Sequence, residues 1–188
     1  NPLVNGKGQH ALRQAGIVCE HLPLPVIDTF YRSYQHWHRH RAPWVTAKIA
    51  LSLDEKMGFP YQSTPVSGWA ASQLTHQLRQ QADALLTTAK TIRIDDPQLN
   101  ARVGQQVQAK PLYILDRLLT LPLNARIWQT AKTITLFHDP SVSAEKQAVY
   151  QKNNARCIPI PLDKGQLLAI PHLLALIGQE GVQDLWMR

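Results

Sequence analysis

The stretch Thr91-Ile92-Arg93-Ile94-Asp95-Asp96-Pro97-Gln98-Leu99-Asn100-Ala101-Arg102 sets two adjacent carboxylates before a proline and ends on an arginine. Because proline disfavours the right-handed helical region for the residue before it, a helix that enters this stretch should end at Asp96. Adjacent like charges disfavour ionisation unless donors or cations lie nearby. Alone, the stretch is typical of a solvated turn, since Asp and Pro are ordinary turn residues. The rest of the sequence is needed to separate a turn from a functional site.

The composition is that of an ordinary globular protein, with 188 residues, 44% hydrophobic and 18% charged. This length allows one domain with a short appendage. The net charge of +7 favours an anionic ligand such as a phosphorylated metabolite, a dinucleotide or a nucleic acid. No aromatic and basic binding motif accompanies the charge, so nucleic acid is the weakest of these partners and none is predicted.

Cysteine usage and hydropathy indicate a reduced, cytoplasmic protein. Cys19 and Cys157 are the only cysteines and form no CxxC pattern, which argues against a disulfide framework or a zinc site. No apolar run approaches the roughly 18 residues of a membrane span, and no signal peptide opens the chain, so no membrane partner is expected. The sequence starts at Asn1 rather than Met, which suggests a piece of a longer protein.

The hydrophobic pattern predicts an α/β domain. Helical spacing of apolar residues predicts helices over 9–15, 26–40, 71–84, 125–129, 143–150 and 167–177. Short apolar and β-branched runs predict strands over 17–19, 44–51, 85–88, 111–116, 133–137, 155–160 and 184–187. Strands that alternate with helices require crossover connections, so the sheet should be mainly parallel, with helices flanking it.

Two polar features of the first half admit a functional interpretation. Lys48 lies inside a predicted central strand, where a lysine must reach solvent or an anion; it therefore marks a strand end or the edge of a site. His36 and His40 are spaced like a two-histidine metal pair. No acidic third ligand lies near them, so a basic helix end, favoured by the helix dipole, is the preferred interpretation and no metal is predicted.

Several spaced polar motifs resemble the reductase domain of the bifunctional riboflavin-biosynthesis deaminase/reductase family. They are Lys48-x-Ala50-x-Ser52-Leu53-Asp54-x-Lys56, Ser67-x-Trp69, His76-x-Leu78-Arg79, Asp83-Ala84 and Thr91-x-x-x-Asp95-Asp96-Pro97-x-Leu99-x-x-Arg102. The opening Asn1-Pro2-Leu3-Val4 with its glycines is similar to the end of that family's deaminase domain. The expected organisation is therefore the end of a deaminase domain and a linker helix over 1–42, then a reductase domain over 43–188.

The resemblance implies a dihydrofolate-reductase-like α/β fold and an NADPH-dependent enzyme that pairs as a homodimer. The implied reaction reduces the ribosyl side chain of 5-amino-6-(5-phosphoribosylamino)uracil, a phosphorylated pyrimidine, to the ribityl form. The hydride comes from the cofactor, so no nucleophile or metal is required. Lys48 is a candidate proton donor, because a lysine beside a site can be tuned toward neutrality.

The same resemblance assigns residues to two ligands. Arginine side chains offer planar forks suited to a phosphate, whereas Thr, Asp and Trp can contact a nicotinamide ribose or ring. The implied substrate-binding residues are Ser67, Arg79, Leu99 and Arg102, and the implied cofactor-binding residues are Ala50, Trp69, Thr91 and Asp95.

The sequence departs from the family pattern at Glu55, where glycine is usual, at Ala70-Ala71, at Arg117 and at Arg188. Arg188 stands where the family has a glutamate followed by a glycine-rich phosphate-binding turn. The reductase domain is thus expected to be incomplete at its C-terminus, and the chain as given to bind NADPH poorly, since no other cradle of backbone N–H groups is evident. The alternative is a non-catalytic scaffold or dimerisation domain that keeps the reductase fold.

Overall fold

The computed structural model describes residues 6–58 and 66–188. The helices in these ranges are α1 Lys7–Gln14, α2 Pro25–Phe30, α3 Arg32–His40, α4 Trp69–Gln81, α5 Ala89–Asp95, α6 Ile127–Thr130, α7 Ala144–Gln151 and α8 Ile170–Gln179. The strands are β1 Trp44–Ala47, β2 Ala84–Thr88, β3 Ala101–Val103, β4 Gln106–Gln108, β5 Pro111–Leu115, β6 Thr133–His138, β7 Ala155–Pro159 and β8 Asp184–Met187. The opening residues 1–5 and most of the loop before Ser67 lie outside the described residues.

Six strands form one sheet in the order β1-β8-β2-β5-β6-β7, and every neighbouring pair in it is parallel. Strands β3 and β4 form a separate antiparallel hairpin. The parallel sheet with flanking helices confirms the predicted α/β class. No helix in the described ranges is long and apolar enough to cross a membrane.

Two hydrophobic clusters cover the two faces of the sheet. Consecutive residues of β2 go to different clusters: Leu85 packs with Ile92, Leu112 and Ile114, whereas Leu86 packs with residues of α8 such as Leu173 and Ile177. This alternation follows from the period of two along a strand. The sheet therefore has a hydrophobic core on each face, and the ends of its strands are the places available to polar residues.

Helix α3 lies against α8 through a close backbone approach. The indole Nε1 of Trp37 donates to the carbonyl oxygen of Gly178 at 2.7 Å, and the guanidinium of Arg41 lies over the Trp37 ring. A Cβ on Gly178 would clash with the carbonyl oxygen of Arg41. Only glycine permits this contact between the segment before β1 and the last helix.

Four local predictions were wrong or incomplete. The strand expected over 44–51 ends at Ala47, because its partner β8 ends at Met187, and it lies at the edge of the sheet rather than at its centre. The helix expected over 26–40 is divided at Tyr31 into α2 and α3. Neither helix has a buried residue, so core packing does not favour one continuous helix. The segment 17–19 forms no strand and leaves Val18 96% exposed. The β3–β4 hairpin was not predicted, since its strands are three residues long and mostly polar.

Candidate functional site

The carboxyl ends of three adjacent strands bring predicted site residues to one edge of the sheet. The backbone N–H of Lys48, just after β1, donates to Met187 of β8 at 3.0 Å, and the N–H of Arg188 donates to Leu86 of β2 at 3.1 Å. Lys48 therefore marks the end of its strand, as its position in the sequence indicated. In open α/β sheets, ligands bind beyond the carboxyl ends of the strands.

Four basic side chains form what we call the cationic cluster: Lys48, Arg79, Arg102 and Arg188. Arg79 is only 8% exposed; its Nη1 donates to the carbonyl oxygen of Asn100 at 3.1 Å, and its Nε has no partner among the described residues. Burial, then Arg188 and Arg102, lowers the pKa of Arg79 to about 10. Burial, then Arg188 and Arg79, also lowers the pKa of Lys48. Like charges held this close are costly unless an anion answers them.

Arg102, in β3, is held from several sides. Its Nη1 donates to Gln98 Oε1 and to Asn100 Oδ1, each at 2.8 Å. Its backbone N–H donates to Nδ1 of His76 at 3.1 Å, and its Nη2 lies 3.0 Å from Nε2 of the same ring. The guanidinium is thus fixed in place before any ligand arrives, which reduces the entropy that binding would cost.

The start of α5 orders the predicted cofactor residue Thr91. The hydroxyl oxygen of Thr88 accepts from the Thr91 N–H at 3.2 Å, and the two hydroxyls lie 3.1 Å apart. At the other end, Arg188 Nη2 donates to Asp95 Oδ2 at 2.7 Å. The helix ends at Asp95, and Asp96 adopts φ 38°, so the predicted helix end is confirmed.

Asp96 has a structural contact of its own. Its Oδ1 accepts the backbone N–H of Arg126 at 2.9 Å, and its Oδ2 lies 3.3 Å from Nε of the same arginine, at the start of α6. The two adjacent carboxylates therefore contact different cations: Asp95 pairs with Arg188, and Asp96 pairs with Arg126. Each has a cation, which removes the cost of the like charges.

The other predicted residues lie outside this hydrogen-bonded group in the described part of the chain. Ser67 is exposed, Trp69 is 78% exposed at the first position of α4, and Ala50 is half-buried beyond β1. Leu99 is 2% exposed and belongs to the core, with φ 47°. Its side chain is therefore a packing group of the core rather than a ligand contact.

His76, Gln98 and Asn100 had no role predicted from the sequence, although all three contact Arg102. His76 stood in a quoted motif, but its contact depends on the short hairpin strand β3, which carries almost no pattern. The ring centroids of His36 and His40, both on α3, lie 4.6 Å apart. No group of three potential metal ligands occurs within the described ranges.

Two of the departures have a visible consequence. Glu55 adopts φ 61°, a left-handed conformation that glycine, the residue usual there, adopts without strain. Arg117 Nε lies 3.4 Å from Asp139 Oδ2, just beyond β5 and β6. Arg117 therefore lies at the carboxyl end of the sheet, whereas Glu55 belongs to a local turn in which its N–H donates to the carbonyl oxygen of Ser52.

Residues 43–188 match the family model described as the RibD C-terminal domain. The chain is 35% identical over 142 residues to a riboflavin biosynthesis protein RibD of Synechocystis, covering 72% of this chain and 38% of that protein. It is 28% identical over 193 residues to RibD of Bacillus amyloliquefaciens, covering all of this chain and 50% of that protein. The chain thus spans half or less of these relatives.

A solved structure of RibD from Acinetobacter baumannii has the same fold, with a TM-score of 0.78 at 26% identity, covering all of this chain and 51% of that one. The family match, the relatives and the parallel sheet agree with one another. The chain belongs to the RibD C-terminal domain family, the reductase domains of riboflavin biosynthesis.

Proposed function

We propose that the chain is an NADPH-dependent reductase domain that converts the ribosyl side chain of 5-amino-6-(5-phosphoribosylamino)uracil to the ribityl form. The observation that carries this proposal is the cationic cluster around Arg79, whose Nε is buried without a partner in the described part of the chain. A buried, unpaired donor on a cation is costly unless a ligand satisfies it. A phosphorylated substrate supplies such a ligand.

In this proposal Arg79 and Arg102 hold the phosphate of the substrate. Both guanidiniums are near one Asn100, which accepts from Arg79 through its backbone carbonyl and from Arg102 through its side chain. Hydrogen bonds from guanidinium to phosphate are stronger than neutral ones and fix the orientation of the ligand. Ser67 and the backbone of Leu99 would complete the substrate-binding side.

The residues on the other side suit a dinucleotide. Thr91 and Asp95 would bind hydroxyl or amide groups, Trp69 would offer an apolar face, and Ala50 would leave room beside β1. Asp95 keeps one oxygen, Oδ1, free of Arg188. NADPH, when bound, supplies the hydride of the reaction.

Lys48 is the proposed donor of the proton that accompanies the hydride: the hydride adds to the anomeric carbon of the ribosyl group, and the proton goes to the ring oxygen whose bond to that carbon breaks. Burial and the charges of Arg188 and Arg79 lower its pKa, so its ammonium gives up a proton more readily than an exposed lysine. The pairing of two chains as a homodimer and a cytoplasmic location are proposed on the same family resemblance; the free thiols of Cys19 and Cys157 fit a reducing compartment.

One observation favours the alternative of a non-catalytic domain with the same fold. Arg188 already occupies Asp95, a residue assigned to the cofactor. In that case the cationic cluster would bind an anion without turnover. Activity measurements separate the two proposals.

The test follows NADPH absorbance with the phosphorylated substrate for the wild type, Arg102→Ala and the control Lys146→Ala in the distant helix α7. Arg102→Ala should raise KM for the substrate by about 10- to 100-fold, since each charged hydrogen bond contributes about 1.5–3 kcal/mol. KM for NADPH and the control should change little. Because the chain is expected to bind NADPH poorly, the assay uses a large excess of NADPH. Absence of NADPH oxidation by the wild type under these conditions would contradict the proposal and favour the non-catalytic domain.

A further inference from the structure

His76 lies on α4, the helix that also carries Arg79, and contacts Arg102 on the hairpin strand β3. It is 7% exposed and sits one turn before Arg79 on α4. Its Nδ1 accepts the backbone N–H of Arg102 at 3.1 Å, while its Nε2 lies 3.0 Å from Nη2 of the same residue. One imidazole ring therefore contacts both the backbone and the guanidinium of Arg102.

The backbone contact determines the tautomer of the ring. An amide N–H can only donate, so Nδ1 must be unprotonated, and the proton of the neutral imidazole lies on Nε2. The guanidinium Nη2 is also only a donor. Nε2–H and Nη2 thus place two donors 3.0 Å apart, an arrangement that one oxygen of an anion, accepting from both, would satisfy.

The charges that face His76 keep it neutral. Burial, then Arg102 from β3 and Arg79 from α4, lowers the pKa of His76, and the backbone carbonyl of Asn100 opposes this lowering. Gln98 and Asn100, the other partners of Arg102, are uncharged. A second proton on the ring would set an N–H against the Arg102 N–H and add a charge beside two guanidiniums.

We propose that His76 is a positioning residue for anion binding: as a neutral imidazole it fixes Arg102 and directs Nε2–H to the same ligand oxygen, and its protonation releases Arg102. The phosphorylated identity of the ligand rests on the function proposed above. Protonation by itself adds positive charge and would strengthen anion binding. The direction of the pH effect therefore separates positioning from simple attraction.

The experiment measures binding of D-ribose 5-phosphate by calorimetry at about pH 7.5 and about pH 5.5, on either side of the ordinary histidine pKa. The proteins are the wild type, His76→Asn and His76→Phe. The Asn side chain keeps an acceptor near the Nδ1 position and does not titrate. Any titration of the phosphate itself affects all three proteins alike.

We expect the wild type to lose about fivefold to tenfold more affinity in acid than His76→Asn, and His76→Phe to bind about tenfold more weakly at both pH values. The proposal would be overturned if affinity changed equally with pH in the wild type and His76→Asn, or if the wild type bound more tightly in acid. It would also be overturned if neither of these two proteins bound the ligand.

A second measurement gives a readout that a purely structural role would not move. In isotope-labelled wild type, the backbone amide signal of Arg102 should titrate with the same midpoint as the His76 ring signals, and it should not titrate in His76→Asn. Independent midpoints would overturn the positioning role. Neither measurement uses turnover, so a chain that shows both effects but oxidises no NADPH would contradict only the proposed reductase activity.

Discussion

Arg188 Nη2 donates to Asp95 Oδ2 at 2.7 Å, joining the end of β8 to the end of α5 across 93 positions of sequence. The side chains are 36% and 22% exposed, so water and salt weaken their attraction. Arg188 belongs to the cationic cluster, so the pair joins that cluster to Asp95, the residue proposed to bind the cofactor.

The first prediction concerns the strength of that pair. A double-mutant cycle with Arg188→Ala, Asp95→Ala and the double variant should give a coupling of about 1 kcal/mol or less in urea unfolding, as expected of a partly exposed ion pair. The coupling should fall as salt is added. A coupling of several kcal/mol, independent of salt, would show that the pair is effectively buried.

The second prediction concerns Arg79. Burying its charge should lower the stability of the fold, and the same charge should contribute to binding of an anionic ligand. Arg79→Met keeps a long apolar stem and removes a buried charge beside other cations. We expect the unfolding free energy without ligand to stay within about 1 kcal/mol of wild type or to rise, while affinity for D-ribose 5-phosphate falls at least about tenfold. The control Lys146→Met should change neither quantity, and a strong loss of stability in Arg79→Met would mean that the charge stabilises the fold.

The third prediction follows from the lowered pKa of His76. The unfolded chain, with an ordinary histidine pKa of about 6.5, binds more protons than the folded chain below that value. The contribution of His76 to stability should therefore be complete above about pH 6.5 and decrease as pH falls below it toward the folded pKa. Urea unfolding at several pH values should show this loss in the wild type relative to His76→Asn; equal slopes would contradict it.

The fourth prediction tests the contact between α3 and α8. Gly178→Ala would force a methyl group into the backbone of Arg41, so α3 must shift. We expect a loss of about 2–3 kcal/mol in thermal or urea unfolding. Gly8→Ala, on the exposed helix α1 where a methyl meets nothing within 4 Å, is the matched control and should be neutral or slightly stabilising.

The fold could be predicted further than the site could. The short apolar and β-branched runs that became β2, β5, β6, β7 and β8 identified strands, and their alternation with helices identified a parallel sheet, because parallel neighbours need crossover connections. The end of α5 at Asp95 followed from Pro97. Lys48 was recognisable as a strand end because a lysine cannot stay inside a buried strand.

The contacts around Arg102 could not be predicted, because they join residues far apart in sequence through a hairpin without a hydrophobic pattern. His76 is 26 positions from Arg102, and each residue alone suits an exposed helix or turn. The contact of Arg188 with Asp95 likewise depends on where β8 enters the sheet between β1 and β2. Such contacts follow from topology, which local propensity does not determine.

The contact between Trp37 and Gly178 shows that the start of the family model is not a boundary of the packed structure. The family match begins at residue 43, yet α3, which precedes it, covers part of α8. A fragment of residues 43–188 would lose the Trp37 indole donor and expose the surface of α8 around Gly178. A packed contact therefore crosses the start of the family model, and an expression boundary drawn at residue 43 would cut through it.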